Sequence, residues 1–198
     1  MAAQLFIVTP LSADPASFPK TLMAVLAAAE VSAILVRRGD RDDTAYATLA
    51  SAVINVGQGA GCAVLLEEDA ALAKQLGADG VHVTSGLSAV KAAVKALKPA
   101  LIVGAGAIGS RHDAMSLGEL DVDYLCFGPF EGTIDPAITD LALWWAETFE
   151  IPAVLSDPAA TPETAQSAAV EFVALSASLW SEQPAATMAS FAAAMEQA

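Results

Sequence analysis

The chain has 198 residues, of which 55% are hydrophobic and 16% charged, and it carries a net charge of −14 with only nine Lys plus Arg. This composition excludes a disordered protein, and the shortage of cations argues against nucleic acid or an anionic membrane surface as partner, because both require clustered positive charge against phosphate. The length suits one domain with a substantial core, spanning residues 1–198.

The first apolar run, Gln4–Thr9, follows a start with no basic leader and no cleavage pattern. It reads as a strand and not as a signal peptide, so a cytoplasmic location is expected. A helical pattern follows over Phe18–Glu30, then a strand over Ala33–Arg38 and a helix over Asp43–Gly57. Next come strand Cys62–Glu67, helix Asp69–Leu76, strand Gly80–Val83 and helix Ser88–Leu97. The uncharged stretch Pro99–Ser110 holds three glycines and is too short to span a bilayer. It contains the fifth strand, Ala100–Gly104, and leads to helix Arg111–Leu117, where Ser110 with Asp113 makes a start signal. The remaining units are strand Tyr124–Phe127 with helix Ile138–Phe149, strand Ala153–Ser156 with helix Pro162–Ala169, and strand Phe172–Ser176 with helix Ala185–Glu196. Cys62 and Cys126 fall in apolar strand runs and read as buried, reduced thiols.

Most of these strands are near-continuous apolar runs, as expected of parallel strands covered on both faces. Eight strand–helix units without a linker predict a (β/α)₈ barrel, a small TIM barrel. The alternative, an open doubly wound sheet, usually carries a glycine-rich phosphate turn after its first strand. Here that position reads TPLSADPAS. In a barrel the functional residues lie where strands end, which directs attention to Thr9, Arg37, Arg38, Glu67, Glu68, His82, Gly106, Phe130 to Asp135, Ser156, Asp157 and Ser176. Asp79 lies at the opposite end of its strand, as a turn or helix-capping carboxylate.

Three segments carry a family likeness: AKQLGADGVHV at Ala73–Val83, DVDYLCFGPF at Asp121–Phe130 and IPAVL at Ile151–Leu155. They resemble the "GADGVHLGQ", "GADYVGFGPIF" and "IPVVAIGG" segments of the thiamine phosphate synthase and thiazole tautomerase superfamily. The resemblance implies a barrel in which a pyrimidine diphosphate meets a thiazole phosphate and diphosphate departs. Mg²⁺ and basic side chains would then stabilise the leaving charge.

Carried over position by position, the resemblance is uneven. The Gln-x-Arg-x-Lys pattern after strand two falls on Leu35, Arg37 and Gly39, which keeps only the arginine. The Asn-Asp pair after strand three falls on Glu67-Glu68, so Glu68 is the metal candidate. The second metal carboxylate, five residues beyond His82, falls on Leu87. The serine after strand five falls on Gly106, and the tautomerase histidine near Ile108. The Thr-x-Thr-Lys segment becomes GTID, retaining Thr133 with Asp135 near the lysine position. The Gly-Gly phosphate turn becomes Asp157-Pro158, while Ser176-Ala177 still resembles the phosphate-binding Ser-Ala. The resemblance thus implies substrate or phosphate contacts at Arg37, His82, Thr133 and Ser176, with Mg²⁺ expected to bind weakly or not at all.

Each of these residues has a plainer role beside the functional one. His82 also reads as a hydrogen-bonded barrel histidine, Arg37-Arg38 as a solvated rim pair, and Glu67-Glu68-Asp69 as a helix start favoured by the macrodipole. His112 reads as exposed. Trp144-Trp145, taken to lack cationic neighbours, is expected to put one indole on the barrel and the other at an oligomer interface, which leaves a homo-oligomer open. Three functions compete: a working thiamine phosphate synthase, an enzyme acting on another small molecule, and a non-catalytic barrel that binds a ligand or partner. The expected ligand is a small molecule at the C-terminal mouth, with a degenerate site that lacks the ancestral activity.

Overall fold

The computed structural model describes residues 3–197. Eight parallel strands close into a barrel in chain order: β1 Gln4–Val8, β2 Ala33–Val36, β3 Ala63–Glu67, β4 Gly80–Val83, β5 Ile102–Ala105, β6 Tyr124–Phe127, β7 Ala153–Ser156 and β8 Phe172–Leu175. Outside them lie α1 Phe18–Leu26, α2 Asp43–Gly59, α3 Ala70–Leu76, α4 Leu87–Leu97, α5 Arg111–Gly118, α6 Pro136–Thr148, α7 Pro162–Gln166 and α8 Pro184–Met195. This is the expected small TIM barrel. Among the described residues no helix is long and apolar enough to cross a membrane.

Helix starts follow local chemistry. Asp42, Asp69, Ser110, Asp135 and Thr161 each accept a backbone N–H of the first turn that follows, satisfying donors a helix leaves unpaired. The sequence reading misses some ends. The helix expected to reach Glu30 stops at Leu26, because the Ala27 and Ala28 N–H groups bond back to Met23 and Val25 in a closing turn. The fifth strand starts at Ile102 instead of Ala100, since Ala100 and Leu101 N–H both return to the Leu97 carbonyl.

Asp79 is not a turn or helix cap. Its Oδ2 accepts the Val64 N–H at 2.7 Å and Gln58 Nε2 at 3.0 Å, so it pins the start of the neighbouring strand β3. The device recurs twice: Asp123 accepts the Val103 N–H at 2.7 Å, and Glu171 accepts the Ala153 N–H at 2.7 Å. A carboxylate just before β4, β6 and β8 thus closes the ladder at the bottom of β3, β5 and β7, where the strand donor would otherwise be unpaired. The acidic residue before each of these apolar strands stabilises the barrel end opposite the mouth.

Apolar side chains form two cores. The larger lies between sheet and helices and includes Ile7, Ile34, Leu49, Leu66, Leu125, Trp145 and Phe191. The smaller lies in the lumen and consists of Phe6, Val8, Ala33, Leu35, Leu65, Tyr124, Cys126, Val154 and Ala174. Side chains alternate across a strand, so the residues two beyond Leu35, Leu65, Gly80, Val154 and Ala174 occupy the next layer up. They are Arg37, Glu67, His82, Ser156 and Ser176, and the mouth is built from them.

Candidate functional site

On the β2–β4 side of the mouth the charged groups are tied to one another. Arg37 Nε lies 3.1 Å from Glu67 Oε1, with both side chains largely buried. Glu67 Oε2 accepts the Arg38 backbone N–H at 2.7 Å, and the Arg37 backbone N–H is donated to Thr9 Oγ1 at 2.9 Å. Arg38 pairs with Asp43 and, at 3.8 Å, with Asp69. Arg41 donates to the carbonyls of Leu11 and Ala13 at 2.7 and 2.6 Å and to that of Arg38 at 3.0 Å, fastening the β1–α1 loop to the β2–α2 loop. All three arginines after β2 are therefore held by partners on this chain.

Glu68 points elsewhere. Its φ of 66° turns it out of the strand, and its carboxylate caps the β4–α4 loop. Oε1 accepts Thr84 N–H at 2.6 Å, Thr84 Oγ1 at 2.8 Å and Ser85 N–H at 3.1 Å, while Oε2 accepts Ser85 Oγ at 2.6 Å. Partial burial pushes the Glu68 pKa up, but these hydrogen bonds from Ser85 and Thr84 outweigh it and hold the carboxyl below its ordinary value. Leu87, at the start of α4, is 40% exposed and offers no oxygen.

His82 is buried beneath the mouth. Its Nδ1 lies 2.9 Å from the Tyr124 hydroxyl, and the two rings stack with an interplanar angle of 5°. Burial lowers its pKa to about 4, with the Glu68 charge opposing and Arg37 assisting, so at neutral pH the imidazole is uncharged. The Tyr124 hydroxyl is pushed well above its ordinary value by burial and stays protonated. Phe130, from the loop after β6, covers His82 at 5.6 Å and lies 5.2 Å from the Arg37 guanidinium carbon. That loop can lie so close because Gly128 has φ +90° and a Cβ there would stand 2.1 Å from the Ser156 carbonyl oxygen.

The β8–β1 side is open. A cavity of ≈ 350 Å³ lies between the loops after β1, β6 and β8, walled by Leu11, Phe130 and Trp180, with Arg37, Glu131 and Ser176 contributing polar atoms. Ser176 is 2% exposed, and its Oγ, like the buried Ser178 Oγ, has no hydrogen-bond partner among the described residues. Such groups are uncommon in a folded protein and here one lines a cavity. Trp180 is fixed by its indole N–H, which donates to the Val8 carbonyl at 2.7 Å.

Of the residues singled out in the sequence, Arg37 and Ser176 line one cavity and His82 lies under it against Phe130. Glu68 turns to the β4–α4 loop, and Thr133 is exposed on the β6–α6 loop outside the cavity lining. After β7, Asp157 Oδ1 accepts the Ala159 N–H at 2.9 Å, so the carboxylate uses a local donor of the turn, at the position where the resemblance implies two glycines. Cys62 and Cys126 are buried thiols, and His112 is exposed. Trp145 is buried on the barrel, but the view of the tryptophan pair as free of cations is corrected: the Arg111 guanidinium lies 4.3 Å over Trp144. Sequence reasoning missed Tyr124, Arg41 and Trp180. For Tyr124 the alternation Tyr124–Cys126 was the available signal; for Arg41 and Trp180 the contacts span loops and left none.

A sequence model described as thiamine monophosphate synthase matches residues 5–177. The chain belongs to the thiamine monophosphate synthase family. It is 35% identical to a protein of Hyphomonas neptunium named thiamine-phosphate synthase, over 98% of this chain and 94% of that protein. A protein of the same name from Rhodospirillum centenum is 33% identical over 95% of each chain. Among solved structures, thiamine phosphate pyrophosphorylase from Pyrococcus furiosus superposes with a TM-score of 0.82, covering 98% of this chain and 96% of that one at 17% identity. A 3-keto-L-gulonate-6-phosphate decarboxylase from Vibrio cholerae gives a TM-score of 0.75 at 11% identity, covering 100% and 99%, a likeness of fold alone.

Proposed function

We propose that this member of the thiamine monophosphate synthase family binds a small molecule at the β8–β1 side of its mouth and does not displace diphosphate. The observation that carries this reading is the Arg37–Glu67 pair at 3.1 Å, which neutralises the arginine retained from the family's diphosphate pattern. A leaving diphosphate needs donors and cations in place before its charge develops. Here Gly39 and Asp135 stand where the resemblance implies lysines, and Asp157-Pro158 presents a carboxylate and a residue without N–H. The residues around Glu68 do not fit Mg²⁺. The hydroxyls and N–H groups of Thr84 and Ser85 already take up its carboxylate, and Leu87 supplies no second ligand.

A second reading, a working synthase, draws on the two full-length relatives named thiamine-phosphate synthase at 35% and 33% identity. One assay separates the two: purified protein incubated with the pyrimidine diphosphate, thiazole phosphate and Mg²⁺, with thiamine phosphate measured. Each missing preorganised donor costs about 10²–10³ in rate, so the first reading expects no useful turnover. A rate within about tenfold of an active family member run alongside carries the second.

A further inference from the structure

The barrel lumen is divided in two by Tyr124. Its ring packs over Gly104, where an added Cβ would stand 1.9 Å from the ring carbon Cζ. Its hydroxyl is turned to His82 on the mouth side, and its ring faces a second cavity below.

That lower cavity has a volume of ≈ 220 Å³ and is walled by Phe6, Ala33, Ala63, Ile102, Val154 and Phe172. Two of its walls are alanines on adjacent strands, paired in register, where larger side chains would have filled the lumen. The polar groups at its edge are already engaged. Ser32 Oγ donates to Gln4 Oε1 at 2.5 Å. Asp123 accepts Lys98 Nζ at 2.6 Å and the Val103 N–H at 2.7 Å. An ordered water needs two to four polar partners, and the few polar side chains at this mostly apolar wall are already engaged within the chain. Ala63, Ile102, Pro152 and Phe172 are only half-buried, so the cavity opens at the N-terminal face of the barrel, opposite the mouth.

We propose that this lower half of the lumen is a second ligand site that takes a small uncharged ring, aromatic or aliphatic, entering from the N-terminal face. The size admits one such ring, since an apolar cavity of roughly 150 Å³ in another protein stays dry and binds benzene. The site is independent of Arg37, Glu67 and Ser176, which lie on the other side of Tyr124.

Fluorobenzene tests it, followed by ¹⁹F NMR in a titration of the full-length protein. Saturable binding with a Kd of about 1 mM or tighter is expected. Ala63→Leu and Ala33→Leu each fill the cavity and should weaken binding at least about tenfold while the protein still melts cooperatively. In the wild type, intermolecular NOEs are expected from the probe ring to the Val154 and Ile102 methyl groups, a readout that stands even if neither variant folds. No saturable binding, NOEs only to outer helices, or unchanged affinity in a folded filled variant would overturn the proposal.

Discussion

The two sides of the barrel mouth use equivalent strand-end positions but are finished differently. On the β2–β4 side Arg37, Arg38, Glu67 and Glu68 all have partners within the chain. On the β8–β1 side Ser176 and Ser178 have buried hydroxyls with none among the described residues, and Ser176 lines a cavity. The contrast teaches that a charged residue at a family position is not thereby available for chemistry. Once Glu67 holds Arg37, the pair stabilises the rim, and the unmet polar atoms lie on the other side, where we propose that the ligand binds.

The comparison can be broken at its closed side first. Glu67→Ala removes the ion pair and the acceptor of the Arg38 N–H, leaving Arg37 largely buried without a counter-charge. Urea unfolding should show a loss of about 3 kcal/mol, in line with breaking a buried pair from one end. A loss below about 0.5 kcal/mol would mean the closed side is only a solvated rim.

A similar magnitude is expected from acid at His82. Its folded pKa, about 4, lies below the unfolded value of 6.5, because burial disfavours the charged ring. The unfolded chain therefore takes up the proton first. Stability is undiminished by this group above pH about 6.5 and falls as pH drops towards 4, by a total of about 3 kcal/mol. The difference between wild-type and His82→Asn stability, measured from pH 7 to 4, isolates that slope from the carboxylates. A difference that stays constant across this range would contradict a buried neutral imidazole.

Smaller effects sharpen the picture. Tyr124→Phe leaves His82 Nδ1 buried without its partner at 2.9 Å, and a loss of about 2 kcal/mol is expected in the same unfolding experiment. Ser176→Ala removes a hydroxyl that makes no hydrogen bond, so its stability should lie within about 0.5 kcal/mol of wild type. A loss above about 1 kcal/mol there would show that the open side is also committed to the fold.

Much of the fold was legible because it rests on local rules. All eight strands were apparent as short apolar runs, and the helix starts at Ser110 and Thr161 were marked by capping residues. The ends at Leu26 and Ile102 were not, since each depends on a closing turn that apolar patterning extends through. For the mouth, topology identified the rim positions, but not which neighbours would engage each other. Glu68 was the metal candidate by register with the family, whereas alternation along Ala63, Leu65 and Glu67 puts Glu67 inward and the positive φ of Glu68 turns it away. Asp79 looked like a turn residue because its partner, the Val64 N–H, lies on another strand.

The proposed function rests on Glu67 neutralising Arg37, the arginine at the position where the family resemblance implies a diphosphate contact. Calorimetry of inorganic diphosphate with Mg²⁺, on wild type and on Glu67→Gln, tests it most directly. The account predicts no binding tighter than about 1 mM for wild type and an affinity at least about tenfold higher for Glu67→Gln, whose side chain leaves the Arg37 charge uncompensated. Sub-millimolar binding by wild type that is unchanged or weakened in Glu67→Gln would contradict it.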